Sequence, residues 1–173
     1  MPPIDYKALL LSVAFVVVAS TAESQTPQRT TASYDDWTLR CESPAGTPPQ
    51  KSCEIIQATH LQGQNNPVTQ VAIGRPPKGG RPKLVILVPP NVWIPIGAKL
   101  VYDEKQPGIA AAFNRCLPGG CVAEAEIADD VLKNLRVRTS PGRLEFKDAN
   151  QRDIAAPVSF KGFSQAFDSL LKD

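Results

Sequence analysis

Cys116-Leu117-Pro118-Gly119-Gly120-Cys121 limits what this chain can fold into more than any other stretch. Proline sets the backbone angle for the first corner of a turn, and a following glycine accepts the positive φ of the second. Beyond the turn, Cys121, Ala123, Ala125 and Ile127 alternate with Val122, Glu124 and Glu126, the period-two pattern of a half-buried strand. Residues 110–115 supply a matching strand upstream. Directly opposed residues of an antiparallel pair have Cα atoms roughly 4.5–5.5 Å apart, which overlaps the roughly 4.4–6.8 Å span of a disulfide. The stretch therefore predicts a hairpin stapled at its neck by Cys116 and Cys121.

A stapled hairpin implies an oxidising compartment, and the start of the chain agrees. Lys7 is the only positive charge ahead of an apolar run over residues 8–19, and Ser20-Thr21-Ala22 offers the small residues a signal peptidase reads. Residues 1–22 read as an export signal cleaved after Ala22. An uncleaved anchor is the alternative, although the run is shorter than the roughly 17–25 apolar residues that span a bilayer. Four cysteines in an exported chain predict two disulfides. Cys41–Cys53 and Cys116–Cys121 are favoured, because each pair is close in sequence and flanks a turn-rich segment; a crossed pairing between the two regions is the alternative. Neither pair has zinc-ligand spacing, and no Cys-x-x-Cys motif points to redox catalysis.

Residues 23–33 are polar and without periodicity, which reads as a flexible N-terminal tether, and residues 34–173 form one domain. The signal carries one lysine and one aspartate, so removing it leaves the net charge of +2, too balanced for nucleic acid to be the partner. Seventeen prolines predict short elements and frequent turns.

Trp37, Leu39 and Cys41 face one way along a first strand, and residues 53–59 and 68–73 give the next two. Residues 84–88 form a continuous apolar run, as a mid-sheet strand covered on both faces does. Val92, Trp93, Ile94 and Ile96 are broken by Pro95, which suits an edge or a bend. Residues 99–103 read as another strand. Val131, Leu132 and Leu135 share a helical face behind Asp129 and Asp130, which suit a helix start. Val137, then Leu144 and Phe146, then Val158 and Phe160 read as strands. Phe163, Phe167, Leu170 and Leu171 recur at helical spacing and predict a closing amphipathic helix. The fold expected is mainly β: an immunoglobulin-like β-sandwich of antiparallel strands with one or two short helices, one of them C-terminal.

Asp36-Trp37 with Cys41, the strand Leu84-Val85-Ile86-Leu87-Val88-Pro89 followed by residues 97–103, Phe113-Asn114-Arg115-Cys116 with Gly120-Cys121-Val122-Ala123, and Phe160-Lys161-Gly162-Phe163 with Ala166 occur in that order. Together they resemble the invasion-associated locus B family of bacterial exported proteins. The resemblance covers nearly all of the mature domain. It implies a β-sandwich in the periplasm or outer envelope of a Gram-negative bacterium, or secreted from it, and a family linked to entry into host cells. It carries over no catalytic or ligand site.

The residues themselves point the same way. His60, the only histidine, lies in a polar loop and reads as solvated rather than as a catalytic base. Glu124 and Glu126 fit the solvent face of a strand, and Gly79-Gly80 and Gly119-Gly120 lack the residues of a phosphate loop. Trp37 reads as core and Trp93, between prolines, as partly exposed. Arg75, Lys78, Arg81 and Lys83 gather four positive charges in one connection. That cluster suits either a solubilising loop or a contact for an acidic glycan, lipid headgroup or protein. No catalytic residue, metal or cofactor is expected. The functional expectation is an envelope or host-facing binding protein using Arg75, Lys78, Arg81, Lys83 and Trp93; an accessory subunit of an envelope complex and a periplasmic enzyme are the alternatives.

Overall fold

A computed structural model describes residues 28–44, 51–60, 63, 67–76 and 79–172. The expected export signal over residues 1–22, the first part of the expected tether, and Lys78 lie outside the described residues. The strands are β1 (Gln28–Tyr34), β2 (Trp37–Ser43), β3 (Ser52–Thr59), β4 (Thr69–Gly74), β5 (Lys83–Val88), β6 (Ala98–Val101), β7 (Ile109–Leu117), β8 (Gly120–Glu126), β9 (Gly142–Lys147) and β10 (Asp153–Val158). Two helices, α1 (Asp129–Arg136) and α2 (Phe163–Leu170), and a 3-10 turn at Ile94–Ile96 complete the described elements.

All ten strands join one antiparallel sheet in the order β1-β2-β3-β4-β5-β8-β7-β6-β9-β10. Strand β7 turns this sheet into two layers. Its first residues, through Ala111, pair with β6 and those from Ala112 onward with β8, and the register slips at Asn114 within the β8 ladder. An extra residue of this kind bends a strand and increases its twist. Trp37, Leu39, Ile55, Ile73, Leu84 and Ile86 of one layer and Leu100, Leu144, Phe146 and Val158 of the other share one buried core.

The apolar alternation is what places most strands. Trp37, Leu39 and Cys41 are buried on β2 while Thr38 and Arg40 are half-exposed. β5 sits between β4 and β8, inside the sheet as its apolar run predicts. Only one of its faces is closed: Leu84, Ile86 and Val88 are buried, Val85 and Leu87 half-buried. The predicted mainly β fold with a C-terminal helix is the one observed, with the layers continuous through β7.

Three local expectations change. Residues 28–33, expected to be tether, form most of β1, whose side chains are nearly all exposed. A strand without a buried face has no period-two signature, so only its ladder to β2 reveals it. Val137, expected in a strand, ends α1 and is exposed. In the hairpin turn, Gly120 rather than Gly119 takes the positive φ, at 143°. A Cβ there would lie 2.4 Å from the Val88 carbonyl oxygen, so only glycine lets the hairpin neck approach β5.

The first and last described elements close on each other. Gly162 opens α2 at φ 77°, where a Cβ would lie 2.0 Å from the Tyr34 carbonyl oxygen. That approach sets Phe163 edge-on to Trp37, with ring centroids 5.0 Å apart. Trp37 Nε1 donates to the Ser159 carbonyl at 2.9 Å, and the Tyr34 hydroxyl donates to Ser169 Oγ at 2.7 Å. The Asp36-Trp37 and Gly162-Phe163 motifs, far apart in sequence, therefore form one closure.

Candidate functional site

Adjacent antiparallel strands put the loops of the larger layer at two ends. At one end β2 finishes and β3 begins, residues 45–50 lying outside the described residues, and the β4–β5 turn carries Arg75 and Arg81. Cys41 and Cys53 are directly opposed near this end, with Cα atoms 4.1 Å apart and sulfurs at bonding distance. Cys116 and Cys121 are opposed at the other end, with Cα atoms 4.0 Å apart and sulfurs also at bonding distance. Each end thus has its own staple.

Arg75 and Arg81 are exposed on the β4–β5 turn, which is drawn together by the Gly79 N–H donating to the Pro76 carbonyl at 3.1 Å. Lys83 is different. Its ammonium sits 3.5 Å from Glu124, which also takes Arg115 at 3.3 Å. A hydrogen bond from the Asn114 side chain is the main reason the Glu124 carboxyl is held below the ordinary glutamate value, with the charge of Lys83 adding to it. Lys83 therefore has a carboxylate within its own fold, which it shares with Arg115. The chain has nine arginines. Arg29, Arg40, Arg115, Arg136, Arg138, Arg143 and Arg152 each meet a carboxylate. Among the described residues Arg75 and Arg81 meet none.

Trp93 is not part of this cluster. It follows β5, while the basic turn precedes it, and five strand steps of about 3.3 Å separate the two ends by roughly 17 Å. The structure splits the predicted site into a basic end and an apolar end. Trp93 is 37% exposed, and Ile94, Ile96, Leu117 and Ile154 are exposed at the same end. The Trp93 N–H donates to the Lys147 carbonyl at 2.9 Å, which ties this corner to β9. The sequence signal for Ile94 and Ile96 was Pro95, which bars the run from a sheet interior. Leu117 and Ile154 carried no signal, because each occupies a strand position that only the end of a layer leaves uncovered.

Among the described residues neither end assembles a catalytic set. His60 is exposed just beyond β3. Among the described residues no group of three or more His, Cys, Asp or Glu side chains could hold a metal ion. The other displaced carboxyls have plain surface causes. The Lys105 backbone N–H bonds Asp103, the Arg143 guanidinium bonds Glu104, and Arg152 bonds Asp148, each holding the carboxyl below its ordinary value. Tyr102 is pushed up by burial, with Asp130 adding to it.

Fold and surface together define a two-layer β protein with a cross-strand staple at each end and unspent surface chemistry at both. The chain belongs to the invasion associated locus B family, whose model matches residues 37–171. It is 26% identical to an invasion protein B homolog of Brucella abortus strain 2308 over 174 residues, covering 96% of both chains. The homolog of Brucella abortus biovar 1 strain 9-941 matches to the same extent. The crystal structure of invasion associated protein B from Bartonella henselae shares the fold, with a TM-score of 0.68 and 22% identity over 83% of this chain and 96% of that one. Among the described residues no helix is long and apolar enough to cross a membrane.

Proposed function

We propose that this protein is exported through residues 1–22 and works at the bacterial envelope, or beyond it, as a non-enzymatic binding protein. Its contact is the basic end, and its partner is an acidic surface: an anionic glycan, lipid headgroup or acidic protein. The observation that carries this reading is the ion-pair pattern. Every other arginine among the described residues is neutralised within the fold, whereas Arg75 and Arg81 stand exposed on one turn, with Lys78 between them in sequence. Unpaired cations on a braced loop attract anions and cost the fold little. The kinship with proteins named for invasion favours a role in host-cell entry.

The test replaces Arg75, Lys78 and Arg81 together with serine and leaves Lys83 in its pair with Glu124. Retention on an immobilised sulfated polysaccharide and on vesicles containing phosphatidylglycerol is then followed against salt. The natural protein should be retained at low salt and released as salt rises through about 0.15 M, where the screening length is about 8 Å. The variant should release earlier with an unchanged unfolding midpoint. Equal retention of the two proteins removes the basic end from the mechanism.

A further inference from the structure

Strand β10 is the last strand of the sheet and pairs only with β9. The phase of its hydrogen bonds follows from the connecting turn. The Asp148 N–H donates to the Arg152 carbonyl at 3.0 Å while the Arg152 N–H turns to Asp148 Oδ1 at 2.9 Å, so this pair sets the hydrogen-bonded phase through one backbone bond. Antiparallel ladders alternate, so Ile154, Ala156 and Val158 bond to β9 while Asp153, Ala155 and Pro157 turn their backbone groups outward. Ser159, next in this outward phase, is already satisfied. Its N–H donates to Gln57 Oε1 at 2.8 Å, and its carbonyl accepts from Gln57 Nε2 at 3.0 Å. The side-chain amide of Gln57 stands where the peptide group of another strand would stand. Pro157 has no N–H to offer. Asp153 and Ala155 have both groups, both are exposed, and among the described residues neither has a backbone partner outside its own strand.

Two hollows border this stretch, and both touch Ile154 and Ala155. One, of about 380 Å³, lies at the open rim between the layers and is walled by Val68, Pro89, Val92, Phe146, Ile154 and Pro157. The other, of about 470 Å³, crosses β6, β9 and β10 where Lys99, Glu145, Lys147 and Asp153 stand. Phe146 also lines both, so a strand added along this edge would run beside apolar walls at one hollow and mixed charge at the other.

We propose that the β10 edge at Asp153 and Ala155 is a docking site for an extended segment of a partner protein, which adds as an eleventh strand and continues the line begun by the Gln57 amide. The segment carries an aliphatic side chain that enters the proline-walled hollow. A lipid chain or a sugar would leave the Asp153 and Ala155 backbone groups without their geometric partner, whereas a peptide backbone satisfies both. The site is independent of the basic end.

The test uses the peptide acetyl-Lys-Val-Thr-Ile-Thr-Val-Lys-amide as probe, with amide hydrogen exchange read residue by residue on the full chain. Adding the peptide should slow exchange at Asp153 and Ala155 at least tenfold and leave Ile154 and Ala156, already in the ladder, nearly unchanged. Ala155→Pro removes an outward N–H without taking a bond from the β9 ladder, and should weaken peptide binding at least tenfold; the exchange readout on the natural chain stands whether or not this variant folds. Replacing Arg75, Lys78 and Arg81 should leave peptide binding intact. The proposal is overturned if the peptide protects neither amide. It is also overturned if both amides are already protected in the free protein, whether by a second copy of the chain or by its own residues.

Discussion

Phe163→Ala should lower the unfolding free energy by about 3–5 kcal/mol, and Phe167→Ala by a similar amount. Phe163 is 1% exposed and meets three rings: Trp37 at 5.0 Å, Phe160 at 5.9 Å and Phe167 at 6.1 Å between centroids. Its removal leaves a void that its neighbours cannot fill, because Gly162 is held under the Tyr34 carbonyl and fixes the start of α2. Phe167 carries the Arg136 guanidinium 5.9 Å from its ring centre, and Arg136 also pairs with Asp168, so α1 loosens with α2. Urea unfolding followed by tryptophan fluorescence reads the change, since Trp37 is buried in this cluster. A loss below about 1 kcal/mol would mean that α2 does not close the core.

Replacing Cys41 and Cys53 together with serine should remove about 3 kcal/mol, against about 2 kcal/mol for the Cys116 and Cys121 pair. The difference follows from the chain each bridge closes: the sequence separation is 12 in the first and 5 in the second. A longer closed loop removes more freedom from the unfolded chain. The first pair also holds β2 to β3 at the mouth of the connection over residues 44–51, so its loss should loosen the basic end selectively. Peptide mapping without reductant should recover both local bridges from the mature protein, and thermal unfolding of the two double variants should rank them in the stated order. A peptide linking Cys53 to Cys116, or a larger loss from the shorter bridge, would contradict this account.

The sequence disclosed most where burial leaves a rhythm. Trp37, Leu39 and Cys41 announced β2, and the spacing of Phe163, Phe167 and Leu170 announced α2, because each side chain enters the core at its element's own period. Strand β1 was hidden because its ladder to β2 holds it without burying a face. The bend of β7 at Asn114 was hidden because a bulge is a fact of register between strands. The candidate site was legible in part. Arg75 and Arg81 were visible as charges, but their lack of partners depends on where seven other arginines find carboxylates. Lys83 looked equivalent to them until β8 brought Glu124 alongside. The β10 edge was not legible at all, since free backbone groups leave no mark on residue type.

The claim that this protein acts by contact through its basic end is tested most directly by photocrosslinking in the native cell. A photoreactive residue is placed at Arg81, and a reference at Lys133 on the exposed side of α1. The account predicts a discrete adduct from Arg81 that fades as salt is raised, and none from Lys133. No adduct from Arg81, or the same adduct from both positions, would contradict it.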